Sequence, residues 1–267
     1  MMNAENIVHI PQIWRDFPPE FEELRPFIES QLLPYIKISS HEVGQLKEDS
    51  SGDPLKLWHS KIGGNPYLPK DYEHPCDRIT GDIMPLLMQV NCADVPQIAG
   101  FDFPQQGILQ FYLGYDAAMS ELSPEVCRVL YFPEVLEVDS ELVTDFSFID
   151  NEDTLRDYSE IYALEFSVAQ ELFWYPRHEE IQPPEALTDL YEEFSLECDE
   201  DCSGDKLGGF ADTSCFDVGA ATEGIKGRLL LELGQTSCNG EYFYFFIEDA
   251  DLRNRDFSKV ECRIMFT

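Results

Sequence analysis

Five histidines, eight cysteines and 52 carboxylates are the side chains here that could do general-base, nucleophilic or metal chemistry. Their spacing organises little of it. His9, His41, His59, His74 and His178 are scattered, and none forms the HxxxH or HExxH pattern that sets two imidazoles on one helical face for zinc. His59 stands two residues before Lys61, and His74 follows in the next loop. If that loop folds back, the three could share a pocket, but a general base must come within hydrogen-bond reach of its proton. Cys198 and Cys202 form one close pair, where a structural zinc site usually uses two. Asp199, Glu200 and Asp201 lie between them and disfavour the thiolate. Cys92, Cys127 and Cys262 fall in or beside apolar runs and read as small core residues. There is no GxSxG elbow. The acidic runs DNEDTLRD and CDEDCSGD lack the central Gly and terminal Glu of a calcium loop. No catalytic, cofactor-binding or metal-binding residue is assigned, and no cofactor is expected.

The elements that would position such side chains are easier to read. FPPEFEELRPFIESQLLP, residues 17–34, has helical spacing, but Pro26 predicts two short helices or a kink, with Pro34 as the stop and a strand at 35–38. KIGGNPYLP, residues 61–69, places two glycines before prolines that exclude a regular central strand, so 65–70 should be an extended rim with Tyr67 and Leu68 tucked in. Strands are predicted at 86–90, 107–115, 127–132, 161–168, 227–234, 240–247 and 260–266, and a helix over 183–197 with Leu187, Leu190, Tyr191 and Phe194 on one face.

A second Lys-x-Gly-Gly, KLGGF, begins at Lys206, 145 positions after Lys61. LLMQV and LLLEL lie 143 apart, and the aromatic strands at Ile108 and Tyr242 lie 134 apart. The same three features in the same order point to internal duplication. The Lys-x-Gly-Gly then reads as a repeated entry into a sheet. A phosphate loop would instead run into a helix with Ser or Thr after its lysine. The expected fold is α+β: mainly antiparallel sheet in two related halves, about 35–135 and 200–267, with a few short helices. An acidic 137–205 segment holding a strand and a helix joins the halves, and the 267 residues form one compact domain.

Charge sets the function classes. The chain carries 18 Lys+Arg against 52 Asp+Glu, a net charge of −34. Such a surface repels nucleic acid and anionic membranes, whose recognition rests on Lys and Arg, and favours a basic protein partner. Plain solubility is the other use of such charge. Between Glu137 and Asp205 there are 22 acidic residues against only Arg156 and Arg177. Glu152, Asp153, Asp157, Asp199, Glu200 and Asp201 are candidate contacts for that partner, with Trp174 and Tyr175 as anchors. A competing reading is a small-ligand site or an enzyme in a crevice between the halves, lined by Lys61, Asn65, His74 and Gln89. The start, MMNAENIVHIPQIWRDF, lacks the basic-then-apolar pattern of a secretory signal, so a cytoplasmic protein with reduced thiols is expected. The sequence leaves oligomeric state open.

Taken in order, SKIGGNPYLP, PLLMQVNCADVP, GILQFYLGYD, KLGGFADTSCFD and EYFYFFIEDADLRNRDFSKV resemble the YwqG-like family, a bacterial family of unknown function, from about residue 35 to the end. The resemblance implies an α+β fold with antiparallel sheet and internal duplication. Family members occur beside polymorphic toxin genes, which implies an immunity-type, toxin-neutralising role without naming residues. One departure stands out. The family's second motif usually continues as in Gly-Gly-Tyr-Pro, whereas here Phe210-Ala211-Asp212 follows with no proline.

Overall fold

Two long antiparallel strands form the middle of one ten-stranded sheet: β1 (Leu32–Gln45) and β6 (Glu160–Leu172). They pair from Leu32 opposite Leu172 to Gln45 opposite Glu160, with one irregularity between Glu42 and Gly44. Beyond β6 come the two-residue β2 (Lys61–Ile62), then β3 (Leu86–Asn91), β4 (Ile108–Leu113) and β5 (Cys127–Phe132). Beyond β1 come the two-residue β7 (Lys206–Leu207), β8 (Arg228–Leu233), β9 (Glu241–Ile247) and β10 (Glu261–Phe266). The computed structural model describes residues 17–47, 50–78, 80–114, 127–149, 159–172, 183–197, 204–211, 224–234 and 241–266.

The strand order β10-β9-β8-β7-β1-β6-β2-β3-β4-β5 is a palindrome. Replacing each strand by the one five places along the chain, cyclically, gives the same order reversed. The details match as well. The β3–β4 ladder slips between Leu86 and Met88, and the β8–β9 ladder slips between Leu229 and Leu231. Leu109 faces Val90 as Phe243 faces Leu233. The strand expected inside the 137–205 segment is β6, which lies at the centre of the sheet.

Near-continuous apolar runs in β3, β4, β8 and β9 give strands buried along almost their whole length. One face of both halves builds a single core in which Leu87, Met88, Leu109 and Phe111 meet Leu230, Leu231, Phe243 and Phe245. Phe111 and Phe245 stand near opposite ends of the strand order, yet their ring centroids lie 4.9 Å apart. The sheet therefore curls until its ends face one another. The thiols of Cys127 in β5 and Cys262 in β10, the two end strands, are hydrogen-bonded. Arg228 and Arg255 reach across to the Gly100 and Asp102 carbonyls.

The helices are short. A 3-10 turn at Pro19–Phe21 precedes α1 (Arg25–Ser30), and Pro26 sits in the first turn of α1, where its missing N–H breaks no bond. Pro34 does not end this helix as expected: α1 stops at Ser30, and Pro34 lies near the start of β1. Helix α2 (Thr188–Glu197) turns Tyr191 and Phe194 onto Phe21, Leu24 and Ile28, a small cluster apart from the sheet core. Helix α3 (Asp249–Asn254) links β9 to β10.

Phe111→Ala and Phe245→Ala should each destabilise the chain by about 3–5 kcal/mol in urea unfolding. The double variant should reveal a coupling of about 0.5–1.5 kcal/mol. Strict additivity would contradict contact between the two ends.

Candidate functional site

Both Lys-x-Gly-Gly segments build the same constellation inside the protein. In the first, the Lys61 ammonium donates to Asp53 Oδ2 at 2.8 Å, with side-chain exposures of 0% and 2%. The same oxygen accepts from the Asn65 N–H at 2.9 Å, and Oδ1 accepts from the Leu55 N–H. In the second, the Lys206 ammonium donates to Glu171 Oε2 at 2.8 Å, with Glu232 3.6 Å away. Glu171 Oε1 accepts from the Phe210 N–H at 2.6 Å. Each carboxylate thus binds a lysine and the first amide after the glycine pair.

The glycines explain the motif. Gly63, Gly64, Gly208 and Gly209 have φ of 66°, 72°, 70° and 74°, the left-handed region that L side chains avoid. The space beside each second glycine is also taken: a Cβ on Gly64 would stand 2.6 Å from Asp53 Oδ2, and one on Gly209 would meet Glu171 Oε1. The chain turns sharply enough to bring its next N–H onto the carboxylate only because no side chain intervenes. The lysines occupy matching registers, Lys61 opposite Gln89 and Lys206 opposite Glu232.

Gln89 and Gln110 are fully buried and serve a neighbouring segment. Gln89 Oε1 accepts from the Tyr67 N–H and from Gln110 Nε2, both at 2.7 Å. Gln89 Nε2 donates to the Leu57 and His59 carbonyls, and Gln110 Nε2 donates to the Tyr67 carbonyl. Residues 65–68 belong to no strand and carry Pro66, so these glutamines replace a ladder for a buried backbone. Tyr67 and Leu68 are buried as expected, and the Tyr67 hydroxyl accepts from the Leu136 N–H.

The proposed crevice residues therefore divide. Lys61, Asn65 and Gln89 come together, the first two through one oxygen of Asp53, and Asn65 Nδ2 donates to the Ser50 carbonyl. Lys61 and Gln89 are sealed from solvent and hydrogen-bonded to protein groups, so neither presents an open donor to a ligand. Burial pushes the Lys61 pKa down, partly offset by Asp53. His74 packs elsewhere, edge-on against Tyr112 and Phe148. Burial pushes its pKa down, opposed by the hydrogen bond to the Pro75 carbonyl. His59 is exposed, its ring against Trp58.

The candidate partner residues Glu152, Asp153, Asp157, Asp199, Glu200 and Asp201 lie outside the described residues, as do Trp174, Tyr175, Cys198 and Cys202. The described start of the same acidic segment, 134–149, is largely exposed. Among the described residues, no group of three or more His, Cys, Asp or Glu is placed to hold a metal ion. Cys92, Cys127 and Cys262 lie in the core, and burial pushes the Cys92 thiol up to about 12. The sequence pointed to neither Asp53 nor Glu171. They lie 8 and 35 residues from their lysines, so no common spacing marks them.

A curled antiparallel sheet with a few short helices, entered twice through a Lys-x-Gly-Gly turn closed on a buried carboxylate, defines an α+β protein whose two motif lysines face inward. The chain belongs to the DUF1963 family, a domain of unknown function, whose model matches residues 60–264. That membership is consistent with the YwqG-like resemblance. A search of curated proteins finds no match. No helix among the described residues is long and apolar enough to cross a membrane.

Removing one partner of such a pair leaves a buried charge without compensation. Lys61→Met should cost about 3–5 kcal/mol in urea unfolding, and Lys61→Met with Asp53→Asn should recover part of the loss. A single-variant loss below about 1 kcal/mol would show that the pair carries little of the turn's stability.

Proposed function

We propose that this is a non-enzymatic binding module that captures a basic protein partner on its acidic exterior, of the toxin-neutralising kind that the YwqG-like resemblance implies. The observation that carries this reading is the contrast between interior and surface. Lys61, Gln89 and Gln110 hold the fold together from within, whereas the exposed stretch 134–149 contains five carboxylates and no Lys, Arg or His. A net charge of −34 adds long-range attraction for a cation-rich surface. The ligand-binding or enzymatic alternative rests on Lys61, Asn65, His74 and Gln89, three of which already satisfy internal groups. A cytoplasmic setting suits both the acidity and the core thiols Cys92, Cys127 and Cys262, which stand outside any disulfide.

Internal duplication is part of the same proposal. The palindromic strand order, the matched ladder slips and the repeated lysine–carboxylate turn support two related units. In that reading β1–β5 and β6–β10 are the repeats, each contributing one long strand to the centre.

The test is co-purification of the full chain with the products of its neighbouring genes, followed by association kinetics at rising salt. A stoichiometric complex with a basic protein is expected, with an on-rate falling at least about 10-fold between about 0.05 and 0.5 M salt. A salt-indifferent on-rate would overturn electrostatic capture. Absence of any complex would overturn the binding module.

A further inference from the structure

Three large apolar side chains stand out as exposed among the described residues: Tyr72 at 46%, Val138 at 53% and Phe148 at 47%. They lie on two segments that run together. Pro69 bridges Leu142, the Lys70 N–H donates to the Glu141 carbonyl, and the Val143 N–H donates to the Leu68 carbonyl. Two of the three are braced from behind. Tyr72 leans edge-on against Phe132 at 5.0 Å, and Phe148 meets His74 at 5.8 Å, whose ring rests on the buried Tyr112. Rings held in this way lose little freedom on binding, which makes them good anchors.

The charge around them is mainly acidic. Asp71 and Glu73 flank Tyr72, Glu137 and Asp139 flank Val138, and all four are exposed. The neighbouring cation, Lys70, donates to the Ser140 carbonyl. Carboxylates near α3 differ: Asp249, Asp251 and Asp256 are ion-paired to Arg228 or Lys259, and Asp102 to Arg253. Exposed apolar side chains on neighbouring segments, set among carboxylates, have the chemistry of a docking site.

We propose that the face formed by residues 69–74 and 134–149 docks a cationic polypeptide, whose apolar side chains pack on Tyr72, Val138 and Phe148 while its Lys or Arg residues meet the surrounding carboxylates. Charge complementarity selects this occupant. A second copy of the chain would bring like-charged rims together, which costs rather than gains. The proposal rests on the binding-module reading and adds where the partner sits and what it must carry.

The test uses the full chain and two synthetic peptides of equal length and charge, one alternating Lys with Leu and one alternating Lys with Gly, titrated by calorimetry. The Lys–Leu peptide should bind about 10-fold more tightly, consistent with an anchor worth about 1.4 kcal/mol. Tyr72→Ser with Phe148→Ser should remove that advantage and leave the Lys–Gly affinity unchanged, with urea unfolding confirming the fold. Asp71→Asn with Glu73→Gln, Glu137→Gln and Asp139→Asn should weaken both peptides, while Asp249→Asn should weaken neither. If the aromatic variant binds both peptides as the parent does, this face is not the docking site, although capture of basic partners stands. If the parent binds neither peptide, this proposal and the binding-module reading both fall. A concentration-dependent dimer abolished by the aromatic variant would overturn the proposal in favour of a second copy.

Discussion

A lysine ammonium buried against a carboxylate, with a glycine pair turning beneath it, is the interaction on which the rest of this fold depends. Strands β2 and β7 contain two residues each, yet they connect the long central pair to the outer strands on either side. Two residues supply too few ladder hydrogen bonds to hold such a junction. The ion pairs of Lys61 with Asp53 and Lys206 with Glu171 add charge-assisted bonds at those points. The same carboxylates receive the Asn65 and Phe210 N–H groups, so strand, turn and following segment are tied at one place. Desolvating a lysine is costly, and a single neutral contact would not offset it. Polar groups that complete the site must therefore arrive together, and this demand fixes where the chain goes next.

Much of the outer architecture was legible because it is written locally. Apolar runs bounded by Gly and Pro marked β3, β4, β5, β8, β9 and β10 within a residue or two. Leu187, Leu190, Tyr191 and Phe194 marked the apolar face of α2 by helical spacing. The centre was harder. Strand β1 continues through His41, Glu42 and Val43 to Gln45, a polar stretch that reads as loop, because its partner β6 lies more than a hundred residues away and supplies the ladder. The candidate crevice residues show a related limit. Gln89 interrupts an apolar strand, which suits a ligand-binding group equally well until its acceptors, the Leu57 and His59 carbonyls, are known. Burial and pairing are properties of the fold, and residue type alone does not separate a satisfied amide from an open one. Tyr72 and Phe148 carry no sequence mark of their exposure, since residue type alone does not separate a core aromatic from a surface one.

The functional reading follows from that division of labour. Lys61 is sealed, and burial holds Cys92 as a thiol. What reaches solvent on the 134–149 stretch is mostly carboxylates and small hydroxyls, with Val138 and Phe148 among them. Recognition by such a surface depends on long-range attraction first and close packing afterwards.

Hydrogen exchange at two amides tests the central interaction most directly. The N–H groups of Asn65 and Phe210 lie in turns rather than in strand ladders, where exchange is ordinarily fast. If the buried lysine–carboxylate turns hold the sheet together, both amides should exchange only through global unfolding, with the same free energy that denaturant unfolding gives. Exchange of either amide by local opening, several kcal/mol below that global value, would contradict the account and place the fold's stability elsewhere.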